Sequence, residues 1–395
     1  MQSPDALRVR LHTAWSRNRH EWLAGGGEWP RSFNTEAPTE AQALSQWEVF
    51  DAWLAQWREV SKAGAGQVVE ALRQWPRLGT QQLPCAWRFD SPESVAAALG
   101  QSPLWQRVKQ RFDRLMAWGC GMTDHVGAWR LALARHFDVL ADASDADLRR
   151  LQDVVAWLLA HPASGLYPRQ LPVAGIDSKW MDVRRAVVTR WLSVLRGDSA
   201  CADFYQASGL RAPPDRLRMR LLDASLRAQL GGIADLEAPV EQIAALSLSG
   251  IRQVLIVENL YTCMAMEDLP GTVLFMGRGN AIEAFAALPW LACLPILYWG
   301  DLDTYGMAIL SRLRGYLPNE CVQSLLMDTE TLHAFKTLWG EDARHPAEVL
   351  PNLTDAEQQL YRELRHDQHG IRVRLEQERI AWDWAWSRLS RANPA

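Results

Sequence analysis

The sequence predicts a mainly helical N-terminal half followed by an α/β domain built on a parallel, doubly wound sheet. Three observations predict it. From about residue 215 onward, short β-branched runs alternate with helical runs, the pattern of βαβ units. Through much of 1–160, apolar residues recur at three-to-four spacing, the period of amphipathic helices. Between these regions Ala212-Pro213-Pro214 interrupts both patterns and marks a domain boundary.

In chain order, helical periodicity covers 39–62, 64–74, 103–118, 127–140 and 145–160, broken by Gly25-Gly26-Gly27, Trp75-Pro76, Pro84 and Pro92. Trp47, Trp53 and Trp57 fall near one face of the first of these helices and are expected in its core. Residues 161–182 are irregular, punctuated by Pro162, Gly165, Pro168, Pro172 and Gly175, and a helix resumes over 181–195. In the second half a strand over 252–258 ends in Glu258, and another covers 272–276. A Gly277-Arg278-Gly279 turn and a helical run over 280–288 come next. The apolar run 291–299 then ends in Gly300-Asp301-Leu302-Asp303. Helix 307–316, strand 323–327, helix 329–339 and a charged helical tail after Leu353 complete the chain.

The carboxylates carry the chemistry. A strand alternates its side chains with period two, so Asp301 and Asp303 point the same way in an extended terminus. Two carboxylates aimed at one point repel unless a cation sits between them, and hard oxygen ligands suit Mg²⁺ or Mn²⁺. In doubly wound sheets ligands bind outside the carboxyl ends of the strands, where Glu258, Asp301 and Asp303 all lie. Helix capping is the competing reading of these acids, but it does not explain two of them on one side of one turn. Arg278 sits at the same edge and is read either as a bidentate phosphate ligand or as a turn residue facing water. No lysine follows the glycines at P-loop spacing, which disfavours nucleotide hydrolysis. The charge-alternating run 372–379, with Arg374, Glu376 and Glu378, is either a surface ion-pair network or support for the acids. His333, His345, His366 and His369 show no metal-ligand spacing on one helix face.

Composition bounds the class. The 395 residues suffice for two or three domains, and 48% hydrophobic with 22% charged residues is ordinary for a folded soluble protein. No apolar run approaches the roughly 18 residues of a membrane span, and Met1-Gln2-Ser3-Pro4-Asp5 lacks the form of a secretory signal. Six scattered cysteines read as reduced thiols, and the expected location is cytoplasmic. A net charge of −4 does not announce a nucleic-acid partner, although local basic surface decides that contact. The twenty tryptophans are expected in cores and helix interfaces.

At the acids the chain resembles the Toprim fold, which carries a glutamate after its first strand and a D-x-D after its third. More widely, 298–306, 325–332, Leu353-Thr354 with Glu357 and Leu360-Tyr361, and 374–380 resemble signatures of the JetD family, the nuclease subunits of Wadjet anti-plasmid systems. Residues 165–179 resemble that family's N-terminal domain. The resemblance implies a helical N-terminal arm over 1–160, a winged-helix-like DNA-binding module over 161–214 and a Toprim-like catalytic domain over 215–395. It also implies a homodimer that works with an SMC-like motor complex, including kleisin and KITE-type subunits, on double-stranded plasmid DNA. Two positions depart from the family: Leu260 stands where it usually has a second glutamate, and Tyr305 where it commonly has histidine. The expected activity is hydrolysis of DNA phosphodiesters with Mg²⁺ or Mn²⁺ held by Glu258, Asp301 and Asp303, or with Glu258 as general base. Lys179, Arg278 and Arg374 are candidate DNA contacts. The alternatives are a non-catalytic DNA-binding adaptor, a haloacid-dehalogenase-type phosphatase, and a type IIB topoisomerase-like transesterase. The last would need Tyr167 or Tyr205 as nucleophile, and neither carries a matching motif.

Overall fold

The computed structural model describes residues 1–198, 201–277, 279–318, 321–342 and 349–392. The chain divides into two compact units, Met1–Ala212 and Pro213–Ala395.

The first unit is a helical assembly with one small sheet. Ser3 caps the helix Pro4–Leu23 through its hydroxyl, with proline at the first turn, where a missing N–H costs nothing. This helix, Trp47–Ala63, Ser102–Cys120, Asp145–Ala160 and Ser178–Leu195 contribute to one core rich in indoles, among them Trp15, Trp57, Trp129 and Trp191. Buried indoles need partners for their N–H groups. Trp129 donates to the Leu115 carbonyl at 3.1 Å, and Trp53 and Trp57 both donate to that of Gln2. Trp47 does not join them and is 50% exposed. Six residues turn a helix through about 240°, whereas the four from Trp53 to Trp57 bring the chain back to within about 40°.

Residues 64–74 are not helical. The helix Trp47–Ala63 ends at Gly64 in the left-handed region (φ 70°), and Gly66 follows with φ 79°. β2 (Gln67–Trp75) then pairs antiparallel with β3 (Gly79–Phe89), whose other edge carries β1 (Arg31–Asn34). Apolar spacing in 64–74 fits either period, and pairing with β3 decides it: Val68 faces Trp87 across the ladder while Leu72 is 73% exposed. Among the described residues, 161–212 hold a 3-10 turn (Pro168–Gln170), the helices Ser178–Leu195 and Phe204–Ser208, and no strand. The helix at 178 starts earlier than its apolar spacing suggests because the Asp177 carboxylate accepts from Trp180 N at 2.7 Å.

The second unit is built on a mixed sheet. Its strands are β4 (Arg216–Leu221), β5 (Asp235–Pro239), β6 (Gln253–Val257), β7 (Thr272–Met276), β8 (Ile296–Trp299) and β9 (Val322–Ser324). Among the described residues their order is β5-β4-β7-β6-β8-β9. β7, β6, β8 and β9 run parallel, and β4 and β5 add an antiparallel edge. β6 and β8 are buried along their whole length, which is why they read as continuous apolar runs. Several elements are shorter than their patterns suggest. The run at 280–288 forms a 3-10 helix, Gly279–Ala287, and Pro289–Cys293 forms another, so the strand expected over 291–299 is only Ile296–Trp299. The strand at 323–327 is Val322–Ser324, and the helix at 329 stops at Ala334. A final two-stranded ribbon, β10 (Gly340–Glu341) with β11 (Val373–Arg374), delivers the C-terminal segment to the sheet edge. No helix among the described residues is long and apolar enough to cross a membrane.

Candidate metal centre

The register of the central strands sets the site. Val257 of β6 pairs with Trp299 of β8, so Glu258 and Gly300 leave the sheet at one level. The Glu258 amide still donates to the Trp299 carbonyl, at 3.3 Å. Beyond Gly300 the chain turns sharply into the helix Thr304–Tyr316. The turn needs Gly306, because a Cβ there would lie 2.0 Å from the Asp301 carbonyl oxygen.

Leu302 forms an isolated antiparallel bridge with Leu375, with reciprocal backbone bonds of 2.9 and 3.1 Å. Side chains flanking a bridge project to one side, and here the flanking residues meet. Arg374 Nη2 lies 2.6 Å from Asp301 Oδ2, and its Nε lies 3.3 Å from Asp303 Oδ2. Glu376 Oε1 is 3.7 Å from Arg374 Nη2. Asp303 is 3% exposed and also caps the following helix, accepting from Gly306 N at 2.7 Å. Capping and facing the site are therefore two jobs of one carboxylate. Glu258 accepts a hydrogen bond from the buried Tyr298 hydroxyl.

The segment 374–378 ties the two strand ends together. Gln377 N donates to Asp301 Oδ1 at 2.9 Å. The Gln377 side-chain amide donates to the Trp299 carbonyl, and its oxygen accepts from Asn259 N at 3.0 Å. Asn259 in turn donates to Glu378. Sequence reasoning missed Gln377, Asn259 and Tyr298 as site residues. The one available signal was a neutral glutamine inside the charged run 372–379.

The electrostatics show a surplus of negative charge. Burial pushes the Glu258 carboxyl up to about 7; the Tyr298 hydrogen bond offsets part of this, while Asp301 and Asp303 add to it by repulsion. Burial likewise pushes Asp303 up to about 6, against its bond from Gly306 and with repulsion from Asp342 and Asp301. Arg374 is also partly desolvated, yet its bond to Asp301 and the neighbouring acids hold it above its ordinary value. One guanidinium thus serves three carboxylates, Asp303 buried and Asp301 and Glu258 half-buried. With Arg374 seated between Asp301 and Asp303, no three or more His, Cys, Asp or Glu side chains among the described residues close into a coordination set. The all-oxygen donors and uncompensated charge nonetheless fit a hard divalent cation, with Arg374 the group that must share or yield its place.

Of the other expected site residues, Lys179 is exposed near the start of the helix Ser178–Leu195 in the first unit. Arg278 lies outside the described residues. Leu260 and Tyr305, which follow the acids in sequence, are 37% and 43% exposed.

Comparison with known families bears on both units. The family described as "Wadjet protein JetD, C-terminal" matches residues 209–389. A second, described as "Uncharacterized protein conserved in bacteria N-term", matches residues 4–193. A comparison with curated proteins gave no match. With one family model spanning the acid-bearing unit and the other most of the helical unit, the chain belongs to the JetD family of Wadjet proteins.

Proposed function

We propose that this chain is the nuclease subunit of a Wadjet anti-plasmid complex and hydrolyses phosphodiester bonds of plasmid DNA at Glu258, Asp301 and Asp303. The observation that carries the reading is the placement of these acids just beyond the carboxyl ends of two adjacent parallel strands. Asp303 is buried and Glu258 half-buried there, and desolvation, with repulsion from Asp301, raises both carboxyls. Glu258, Asp301 and Asp303 would hold Mg²⁺ or Mn²⁺, which when bound supplies polarisation of a phosphoryl oxygen and an acidified water. Asp303 is oriented by its cap to Gly306, Asp301 by Gln377 N, and Glu258 by Tyr298. Glu258 can also take a proton on its carboxylate, as a group placed near neutrality does in general-base work. Arg374 is placed to offset charge on a phosphate once it releases Asp301. Lys179 and Arg278 are proposed DNA contacts.

The family reading extends to a cytoplasmic homodimer whose two sites face opposite strands of a duplex. It further extends to partnership with an SMC-like motor carrying kleisin and KITE-type subunits, and to a winged-helix-like DNA-binding region near 161–214. The test is incubation of circular plasmid with Mg²⁺ or Mn²⁺, with and without the motor partners. Linearisation by wild type and none by Asp301→Ala, with DNA binding kept, supports hydrolysis. One observation favours a second reading, a non-catalytic DNA adaptor: Arg374 occupies the space between Asp301 and Asp303. Binding without any cutting under both metals would select it.

A further inference from the structure

Elsewhere in the second unit, three polar side chains form a line unrelated to the acids. His333 ends the short helix Thr329–Ala334, Glu363 lies on the helix Asp355–Arg365, and His369 follows that helix. His369 Nε2 lies 2.9 Å from Glu363 Oε2, and His369 Nδ1 lies 3.2 Å from His333 Nε2. The Gln359 amide donates to the other Glu363 oxygen at 2.7 Å, so the carboxylate is an acceptor on both sides. The ring proton of neutral His369 is therefore on Nε2, and the Nδ1 lone pair points at His333.

A carboxylate behind an imidazole, with the second ring nitrogen presented outward, is how proteins orient a metal-ligating histidine. The 3.2 Å separation also fits. Two nitrogens bound at roughly 2.0–2.1 Å to a tetrahedral ion stand about 3.3 Å apart. Trp339 packs against both rings, at centroid distances of 6.3 and 6.2 Å, and limits their motion. The Glu363 and His369 side chains are largely sheltered while His333 is exposed, which leaves the outer coordination positions to water.

We propose that His333 Nε2 and His369 Nδ1 form an open site for a divalent transition-metal ion of the zinc class, with Glu363 orienting His369. Imidazole nitrogens favour Zn²⁺ or Ni²⁺, whereas Mg²⁺ prefers oxygen, so this site differs in chemistry from the three acids and does not depend on the nuclease reading. Neutral His333 binds through the tautomer that carries its proton on Nδ1. The hydrogen bond between the two rings is then replaced by two nitrogen–metal bonds. The bound ion ties the end of helix Thr329–Ala334 to the turn after helix Asp355–Arg365. No third His, Cys, Asp or Glu closes the site among the described residues, which makes it an exchangeable site and not a permanent one.

The test is calorimetric titration of ZnCl₂ into the full chain, with excess Mg²⁺ present to compete for the acids. One Zn²⁺ per chain is expected, with affinity reduced at least about tenfold by His333→Ala and by His369→Ala. Glu363→Gln should weaken it several-fold, and Asp301→Ala should leave it unchanged. Circular dichroism checks folding, and His333→Gln replaces any alanine variant that fails to fold. Wild-type behaviour in the histidine variants, loss confined to Asp301→Ala, or no Zn²⁺ binding at all would overturn the proposal. Plasmid cleavage by the same Asp301→Ala protein reports separately on the nuclease reading.

Discussion

Replacing Gln377 with leucine keeps its approximate volume but removes the side-chain bonds that join β6 to β8 at the site. The residue is 2% exposed, so water cannot replace what is lost. The Asn259 N–H loses its acceptor, and the Trp299 carbonyl loses the Gln377 donor. Each buried group left unpaired costs about 1–3 kcal/mol. Trp299 O keeps the Glu258 amide at 3.3 Å, so the total belongs near the lower half of that sum, about 2–4 kcal/mol. Against a typical stability of about 5–15 kcal/mol the variant still folds. Urea denaturation should show a lower midpoint with an unchanged slope. Metal affinity should fall as well, because Glu258 and Asp301 are no longer held in register. Gln377→Glu should be worse than leucine for metal-free stability, since it sets a carboxylate oxygen against the Trp299 carbonyl beside two further acids. A leucine variant within about 0.5 kcal/mol of wild type, with unaltered Mn²⁺ affinity, would refute the positioning role.

Arg374→Ala should cost about 1 kcal/mol in metal-free buffer, a value discounted for its partial exposure. Mn²⁺ should recover that loss and bind several-fold more tightly than to wild type; a loss that Mn²⁺ does not recover would count against Arg374 as resident counter-cation. Glu357 gives a pH dependence. Burial opposes its ionisation, but Arg314 at 2.6 Å, Ser324 and the Thr354 amide hold it at about 2, below its ordinary 4.5. Because the folded value is depressed, its stabilisation is complete above about pH 4.5 and drains away as pH falls toward 2. Urea midpoints should report a loss of roughly 2 kcal/mol across that window after allowance for screening, and Glu357→Gln should flatten it. Leu72→Ser, on the exposed face of β2, should change stability by less than about 0.5 kcal/mol. A core-sized loss there would restore the helical reading of 64–74.

The strands that frame the site were legible because both faces are covered. Burial on two sides writes β6 and β8 as apolar runs, and a carboxylate after such a run stands out. The antiparallel edge strands β4 and β5 were not read individually. β4 does alternate strictly between arginines and buried apolar residues, a signal that was present and missed, whereas β5 is short, buries no residue fully and ends in proline. Residues 64–74 misled for a related reason: Val68, Val69 and Leu72 satisfy a helical period, and only pairing with β3 makes them a strand. Trp47 was read by its spacing as near the face of Trp53 and Trp57, but the six-residue step turns it about 240° around the helix, and it is exposed. Gln377 was illegible because its importance comes from two strand ends that converge only in the folded unit. The run around it reads equally as surface pairing, and it contains both kinds of contact. Arg372 pairs with Glu341 at the surface, while Arg374 reaches Asp301 and Asp303.

Convergence of Glu258, Asp301 and Asp303 on a shared cation is tested most directly by Mn²⁺ titration followed by electron paramagnetic resonance. Wild type should take up Mn²⁺ saturably, and Asp301→Ala and Asp303→Asn should each weaken that uptake at least about tenfold. Superimposable titration curves for wild type and both variants would contradict a metal centre at these residues.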